Sequence, residues 1–371
     1  FGNRRTVGGD DTEIGLQGPI TRRDQGSEAE DSSRPRSVLV QDRGDGSYVI
    51  TYNVSVPGWY SLTIGVNGNN VPGSPYLVEA RRGILYPTFE SEQGLIMFGD
   101  ATVQPSWRSI SAPPSSISTL PPSLHLAADT AGSHGAAWFS VPQEVRGGFE
   151  MAFRFKVTAL TAQCPAHAPP SSACLARSGD GFALVLMGSA EHGGDVGHPG
   201  RGLGYEGLRN VLAIEFDTWA NAETGDPGEN HISLQSCGRE GVTAAHEASL
   251  AHTSAIPHIA DGMEHTVRIR YDRTISSTQL LDEAFVTSPY AARWLRTAPG
   301  AITIYIDDLT RPVLVTAIDL FTLLALPPAS PSLWFGFTAS TGEYYAAIEI
   351  LSWELREGAC PKDCSGRGQC E

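Results

Sequence analysis

Residues 210–233, Asn210 to Ser233, read NVLAIEFDTWANAETGDPGENHIS. The run opens as a strand: Val211, Leu212, Ala213, Ile214, Glu215 and Phe216 are largely apolar or β-branched and show no helical period. Alternate side chains of a strand share a face, so Leu212, Ile214 and Phe216 point one way and Glu215, Asp217 and Trp219 the other. Two carboxylates backed onto an apolar row are costly unless a cation compensates them. Asn221, Asp226 and His231 follow in a loop containing Gly and Pro. The series Glu215, Asp217, Trp219, Asn221, Asp226, His231 therefore runs at steps of two, two, two, five and five.

These donors sort into two metal preferences. Carboxylates, an Asn amide oxygen and a backbone carbonyl suit Ca2+, which takes oxygen ligands. A His beside carboxylates suits a transition ion such as Mn2+ or Zn2+. Asp217 and Asp226 each have two carboxylate oxygens and can serve both ions. For any one of these residues the blander alternative, an acidic turn facing water, is the better account. For the whole spaced set it is not.

The stretch resembles the metal loop of the legume (L-type) lectins, whose motif is E-x-D-x-aromatic-x-N-x4-D-x4-H. Every position is matched at the family's spacing. The resemblance implies that Glu215, Asp217, Asp226 and His231 hold a transition metal, Mn2+ or another. It implies Ca2+ on Asp217, Asn221, Asp226 and the main-chain carbonyl of Trp219. In that family the ions perform no chemistry and order a loop that grips a sugar.

The chain has 371 residues, enough for two or three domains, and opening at Phe1 it is read as a segment of something longer. Lys plus Arg number 26 against 41 Asp plus Glu, a formal net charge of −15, which argues against nucleic acid or an anionic membrane as partner. No apolar run approaches the length of a membrane-spanning helix. With 40 Gly and 25 Pro between short apolar runs, the class is all-β. Cys164, Cys174, Cys237, Cys360, Cys364 and Cys370 are spaced unlike a zinc site and read as disulfide cysteines of an oxidising compartment. Asn53-Val54-Ser55 is a glycosylation acceptor triplet that fits such a compartment.

Toward the N-terminus, Ser47–Val56 alternates, Tyr60–Val66 is a second strand and Tyr76–Ala80 a third. Asp42 to Gly46 and Pro57-Gly58 supply turns. Thr21 to Arg36 is polar, rich in charge and Ser, and is expected to be a mobile loop. VQDRGDGSYVITYNVSVPGWYSLTIGVNGNNVPGSPY, residues 40–76, resembles the second half of a filamin-type immunoglobulin repeat whose first strands are missing. Such a module is a spacer or a docking edge.

The lectin resemblance covers residues 82–357. Gly94–Ala101 looks like the family's opening strand. Gly148–Val157, Asp180–Met187, Glu264–Tyr271 and Ala301–Asp307 read as core strands, and Leu333–Ser340 with Ala346–Leu355 as the closing pair. Thr274–Thr297 is expected to be an insertion with helical character around 280–285 and 290–295. Cys164 and Cys174 are expected to staple a loop absent from the simplest members. The tail from Cys360 to Cys370 resembles the start of an EGF-like module, which implies a Cys360–Cys370 pair and leaves Cys364 for a partner further on. Cys237 is then either unpaired or bonded to another chain. The expected architecture is a concanavalin-like jelly-roll β-sandwich preceded by a partial immunoglobulin-like (filamin-type) β-sandwich. Its parts are residues 1–80, 82–357 and 360–371.

Family members build the sugar site from loops at one end of the sandwich. The first supplies an Asp after a cis peptide, matched by Asp180 in Gly179-Asp180-Gly181. A carboxylate accepting from two sugar hydroxyls is a strong hydrogen-bond partner. The Gly-rich second loop matches Gly200 to Gly204, with Gly200 as the contact and Arg201 where many members have a second Gly. The third gives Asn221 and Trp219, whose face suits the C–H side of a pyranose. The fourth is Ser340–Tyr345, with Glu343 and Tyr344 as contacts.

Gly202-Leu203-Gly204-Tyr205-Glu206-Gly207 satisfies G-x-G-x-x-G, but a strand follows where a dinucleotide site needs a helix. His246, His252 and His258, spaced by six, read as solvated loop residues. A glycoside hydrolase on the same sandwich places E-x-D-x-x-E on one strand. Glu215 and Asp217 fit, but the third place is Ala220, so the general acid is gone and a binding module is favoured over an enzyme. A third alternative is a structural spacer in an extracellular fibre or coat with a vestigial site. The favoured function is carbohydrate binding in an extracellular, multi-domain adhesion or surface protein. Its partners are glycans or glycoproteins, and further domains or copies of the same chain in an array.

Overall fold

Val211–Asp217 forms the expected strand, and every residue of it is buried. Leu212, Ile214 and Phe216 enter the main core, while Val211 and Ala213 enter a second apolar cluster on the opposite face. That second face is dry because Leu203, Tyr205, Leu208, Val242 and Ala244 cover it. The alternation was therefore read correctly, but both faces of the strand are interior.

The structure, a computed structural model, describes residues 9–17, 38–44, 46–52, 58–80, 83–105, 121–158, 178–188, 195–275, 277, 279–281, 283–288, 290 and 299–357. Asn53, Cys164, Cys174, Cys360, Cys364 and Cys370 lie outside these residues. So do the polar stretch Thr21–Arg36, the EGF-like tail and most of the helical expectation at 290–295. The chain divides into two compact units, residues 1–82 and 83–371.

In the larger unit two antiparallel sheets face one another. One runs, edge to edge, Ser249–Thr253, His231–Gln235, Val211–Asp217, Gly181–Met187, Ser332–Ser340, His134–Phe139, Leu95–Gly99. The other runs Leu314–Ile318, Gly300–Ile306, Glu264–Asp272, Phe149–Thr158, Ala347–Glu357, Pro122–Ala127, Thr102–Pro105. This is a concanavalin-like jelly-roll sandwich. Between the sheets lies an aromatic layer. Phe182 stacks on Phe216 with centroids 4.7 Å apart, while Phe153 and Trp353 each meet Phe337 edge-on at 5.0 Å. Offset and edge-on pairs of this kind add about 0.5–1.5 kcal/mol each beyond the area they bury.

The helical expectation at 280–285 corresponds to a short 3-10 turn, Gln279–Leu281, and a helix, Glu283–Thr287. Phe285 anchors it, buried with Ala301, Val315 and Ala317. The histidine expectation is corrected. His252 lies on the edge strand Ser249–Thr253, its ring is 4.4 Å from that of His246, and its Nδ1 is 2.8 Å from the Tyr290 hydroxyl.

In the smaller unit Gly58–Val66 is central. It pairs with Tyr76–Ala80 and Asn69–Asn70, while Val38–Asp42 pairs with Tyr48–Tyr52. Val38–Asp42 was not expected from sequence, nor was Thr12–Gln17, which pairs along its whole length with Gly58–Val66. Part of the first half of the repeat is thus present. Leu16, Tyr60 and Leu62 form its small core.

Candidate carbohydrate and metal site

The peptide Gly179–Asp180 is cis. The Asp180 N–H donates to Ser340 O at 3.1 Å, and Asp180 O accepts from the Thr218 N–H at 2.9 Å and the Thr218 hydroxyl at 3.1 Å. The loop is thereby pinned to the ends of two neighbouring strands. Asp180 is buried, and its Oδ2 has no hydrogen-bond partner. Burial first, then the charges of Glu223 and Asp226, push its carboxyl up to about 6.

Two glycines stand beside that carboxylate. Gly200 has φ +63° and sits beside Asp180 Oδ2, and its carbonyl accepts from the Ser340 hydroxyl at 2.8 Å. At Gly342 an added Cβ would stand 2.8 Å from Asp180 Oδ2, so a side chain there would push against the carboxylate. Trp219 and Tyr344 stack with centroids 4.5 Å apart and planes 21° from parallel. One cavity of about 300 Å³ is lined by all six residues expected to touch sugar: Asp180, Gly200, Trp219, Asn221, Glu343 and Tyr344. Arg201, Glu223 and Gly342 line it as well. Glu223 and Gly342 were missed from sequence. A glycine two residues after Ser340 was the only signal for the second, and its role depends on a carboxylate far away in the chain.

Below this cavity lies the acidic series. Asp217 and His231 face each other in register on adjacent strands, as do Glu215 and Ser233. Asp217 Oδ1 accepts from the Trp219 N–H at 2.7 Å, and Asp226 Oδ2 from the Asn221 N–H at 2.7 Å. Asp226 Oδ1 accepts from the Thr224 hydroxyl at 2.9 Å. His231 Nδ1 lies 2.9 Å from Gly228 O, an arrangement that puts the proton on Nδ1 and leaves the Nε2 lone pair for a ligand. Glu215 is turned toward Tyr205, whose hydroxyl donates to it, and toward Gln235, whose amide donates at 3.1 Å.

Among the described residues no three His, Cys, Asp or Glu side chains converge as a ready coordination cluster. The donor chemistry still fits a hard cation. Asn221 Oδ1 is buried with no partner. Burial pushes Glu215 up to about 7, and burial together with the Glu215 charge drives Asp217 well above the usual carboxylate range. Burial lowers His231, which favours the neutral imidazole a metal needs. Buried carboxylates that raise one another, without a cationic side chain in the series, are arranged as a cation would require.

Comparison with known proteins shows the family. Residues 84–366 match the legume lectin domain, and residues 5–77 match the filamin/ABP280 repeat. Among solved structures, the chain is similar to a Bauhinia forficata lectin in complex with GalNAc: 19% identity, 74% of this chain and 97% of that one, TM-score 0.48. It is similar to the metal-free form of lectin I-B4 from Griffonia simplicifolia: 21% identity, 74% and 98% covered, TM-score 0.46. The exoplasmic/lumenal domain of VIP36 in its Ca2+/Man3GlcNAc-bound form is similar too, at 18% identity, 76% and 93% covered, TM-score 0.46.

Proposed function

The chain belongs to the legume lectin domain family, and from that membership we propose that it binds glycans through the cavity around Asp180. The observation that carries the proposal is Asp180, whose buried Oδ2 is unpartnered and which lines a cavity with Asn221, Gly200, Trp219 and Tyr344. A buried acceptor without a donor is costly, and two sugar hydroxyls remove that cost. Gly200 and Gly342 let backbone approach the ring, Asn221 supplies an amide donor, and Trp219 with Tyr344 offers an aromatic wall. Glu343 sets the edge of the site and contributes to which sugar is preferred.

Asp217, Asn221, Asp226 and the Trp219 carbonyl would hold Ca2+. Glu215, Asp217, Asp226 and His231 would hold Mn2+ or another transition ion, with Glu215 leaving Tyr205 and Gln235 to do so. When bound, the ions supply positive charge that neutralises the buried carboxylates and fixes the loop carrying Trp219 and Asn221. Asp180 and Asn221 do the gripping. No acid–base pair is required, in keeping with a role that is not enzymatic.

The wider context belongs to the same proposal. The parts are a filamin-type repeat at 1–80, the lectin module at 82–357 and an EGF-like start at 360–371. Cys164–Cys174 and Cys360–Cys370 bridges and a glycan on Asn53 would suit an extracellular or surface location. Single shallow sugar sites bind weakly, so adhesion would need several copies or an array. The alternative is a structural spacer in an extracellular fibre or coat with a vestigial sugar site, which the adjoining filamin-type repeat favours.

The experiment is a glycan-array screen of the whole chain in Ca2+ plus Mn2+ and again in chelator. Chelator-sensitive binding to defined sugars is expected. Absence of binding, with both ions found by elemental analysis, would favour the spacer.

A further inference from the structure

We infer that Tyr205 and Gln235 form a latch on Glu215, keeping it out of the transition-ion set and thereby weakening that ion's binding relative to Ca2+. The inference rests on the two-ion reading proposed above and names the residues that set its balance. Asp217, Asp226 and His231 are bonded to groups of their own loop: the Trp219 N–H, the Asn221 N–H with the Thr224 hydroxyl, and Gly228 O. Glu215 is bonded elsewhere. Its Oε1 accepts from the Tyr205 hydroxyl and its Oε2 from the Gln235 amide at 3.1 Å. Among the described residues the four side chains do not converge on a common point.

Both donors are themselves fixed. Tyr205 is fully buried in the apolar cluster with Leu203, Leu208, Val211 and Val242. Its N–H donates to Gly202 O at 2.9 Å, and its carbonyl accepts from the Leu208 N–H at 3.1 Å. Gln235 Nε2 also donates to the Ser233 hydroxyl at 3.1 Å, and Ser233 Oγ lies 2.8 Å from Ser249 Oγ. Gln235 and Ser233 are buried as well. A buried polar chain therefore runs from Tyr205 through Glu215, Gln235 and Ser233 to Ser249.

A carboxylate taken out of water must be satisfied, and in the ion-free chain these two donors satisfy it. Glu215 joins a transition ion only by giving up hydrogen bonds that it already has. What those bonds contribute is subtracted from the affinity for that ion. The proposed Ca2+ set, Asp217, Asn221, Asp226 and the Trp219 carbonyl, does not include Glu215 and escapes the cost. The opposite arrangement would be a supporting one, with Tyr205 still bonded while Glu215 ligates. Loss of a supporting partner weakens metal binding about 10–100-fold, so the two arrangements predict opposite signs for one variant.

The test titrates the whole chain with Mn2+ in saturating Ca2+, followed by calorimetry and by EPR of free Mn2+. Tyr205→Phe, which keeps the ring, is expected to bind Mn2+ about tenfold more tightly than the wild type. Its Ca2+ affinity, measured without Mn2+, is expected to move less than about twofold. Its ion-free thermal midpoint is expected to fall, because a buried carboxylate has lost a donor. Gln235→Met is expected to shift Mn2+ affinity and midpoint in the same directions, and it carries the test should Tyr205→Phe fail to fold. Mn2+ taken up by the variants but not by the wild type would support the latch in its strongest form. Unchanged or weaker Mn2+ binding in the folded variants would overturn the latch and leave the two-ion reading standing. No Mn2+ uptake by the wild type or either variant would overturn that reading and the latch with it.

Discussion

Asp180 carries the proposed sugar site, and its neighbours explain why. Its carboxylate is buried, lacks a partner at Oδ2, has Gly200 beside it, and is approached by Gly342 so closely that an added Cβ would stand 2.8 Å from Oδ2. Asp180→Ala should abolish glycan binding, a loss of more than about a hundredfold, while leaving bound metal unchanged by elemental analysis. Retained affinity would move the site elsewhere. Gly342→Ala should weaken binding with little loss of stability, because the added methyl meets the carboxylate that receives the sugar. Asp217→Ala should cost both ions and, with them, the glycan, as read by metal content and binding in parallel. The ligand series was legible because strand alternation and loop spacing are local properties of the sequence. Gly342 and Glu223 were not legible, since each matters only through Asp180, which the fold brings to it. Tyr205, buried on Glu215, was hidden inside a glycine pattern that imitates a nucleotide loop.

At the level of elements, the strands of the larger unit follow their sequence closely. Asp180–Met187 was expected and Gly181–Met187 is seen, and Glu264–Tyr271 becomes Glu264–Asp272. Such strands announce themselves through runs of β-branched and aromatic residues. Thr12–Gln17 did not, because TEIGLQ offers only two large apolar residues, and its pairing with Gly58–Val66 is what makes it a strand. The burial of both faces of Val211–Asp217 was equally out of reach, since the covering residues lie in separate loops. That double burial makes the strand sensitive. Phe216 stacks on Phe182 and is fully buried, so Phe216→Ala should cost about 3–5 kcal/mol in denaturant unfolding. A cost below about 1 kcal/mol would mean that the aromatic layer is not packed as described.

For the molecule as a whole, the buried acidic series ties stability to pH and, under the proposed function, would tie it to cations as well. The Glu215 carboxyl rises from 4.5 to about 7 on folding, so the folded chain holds that proton more tightly than the unfolded chain. Without metal, stability is therefore highest at or below pH 4.5 as far as this group is concerned and is lost as pH rises toward 7, by about 3 kcal/mol. Asp180, raised to about 6, adds in the same direction. A bound cation favours the ionised form and should remove this slope. Thermal unfolding of the stripped chain from pH 4.5 to 8, repeated with Ca2+ and Mn2+, should show a falling midpoint without metal and a flat one with it. The most direct test of a cation-ordered sugar site is calorimetric titration of the whole chain with its best array glycan, in Ca2+ and Mn2+, after chelation, and after the ions are restored. Binding that disappears on chelation and returns with the ions is the predicted result; equal binding in all three conditions would contradict it.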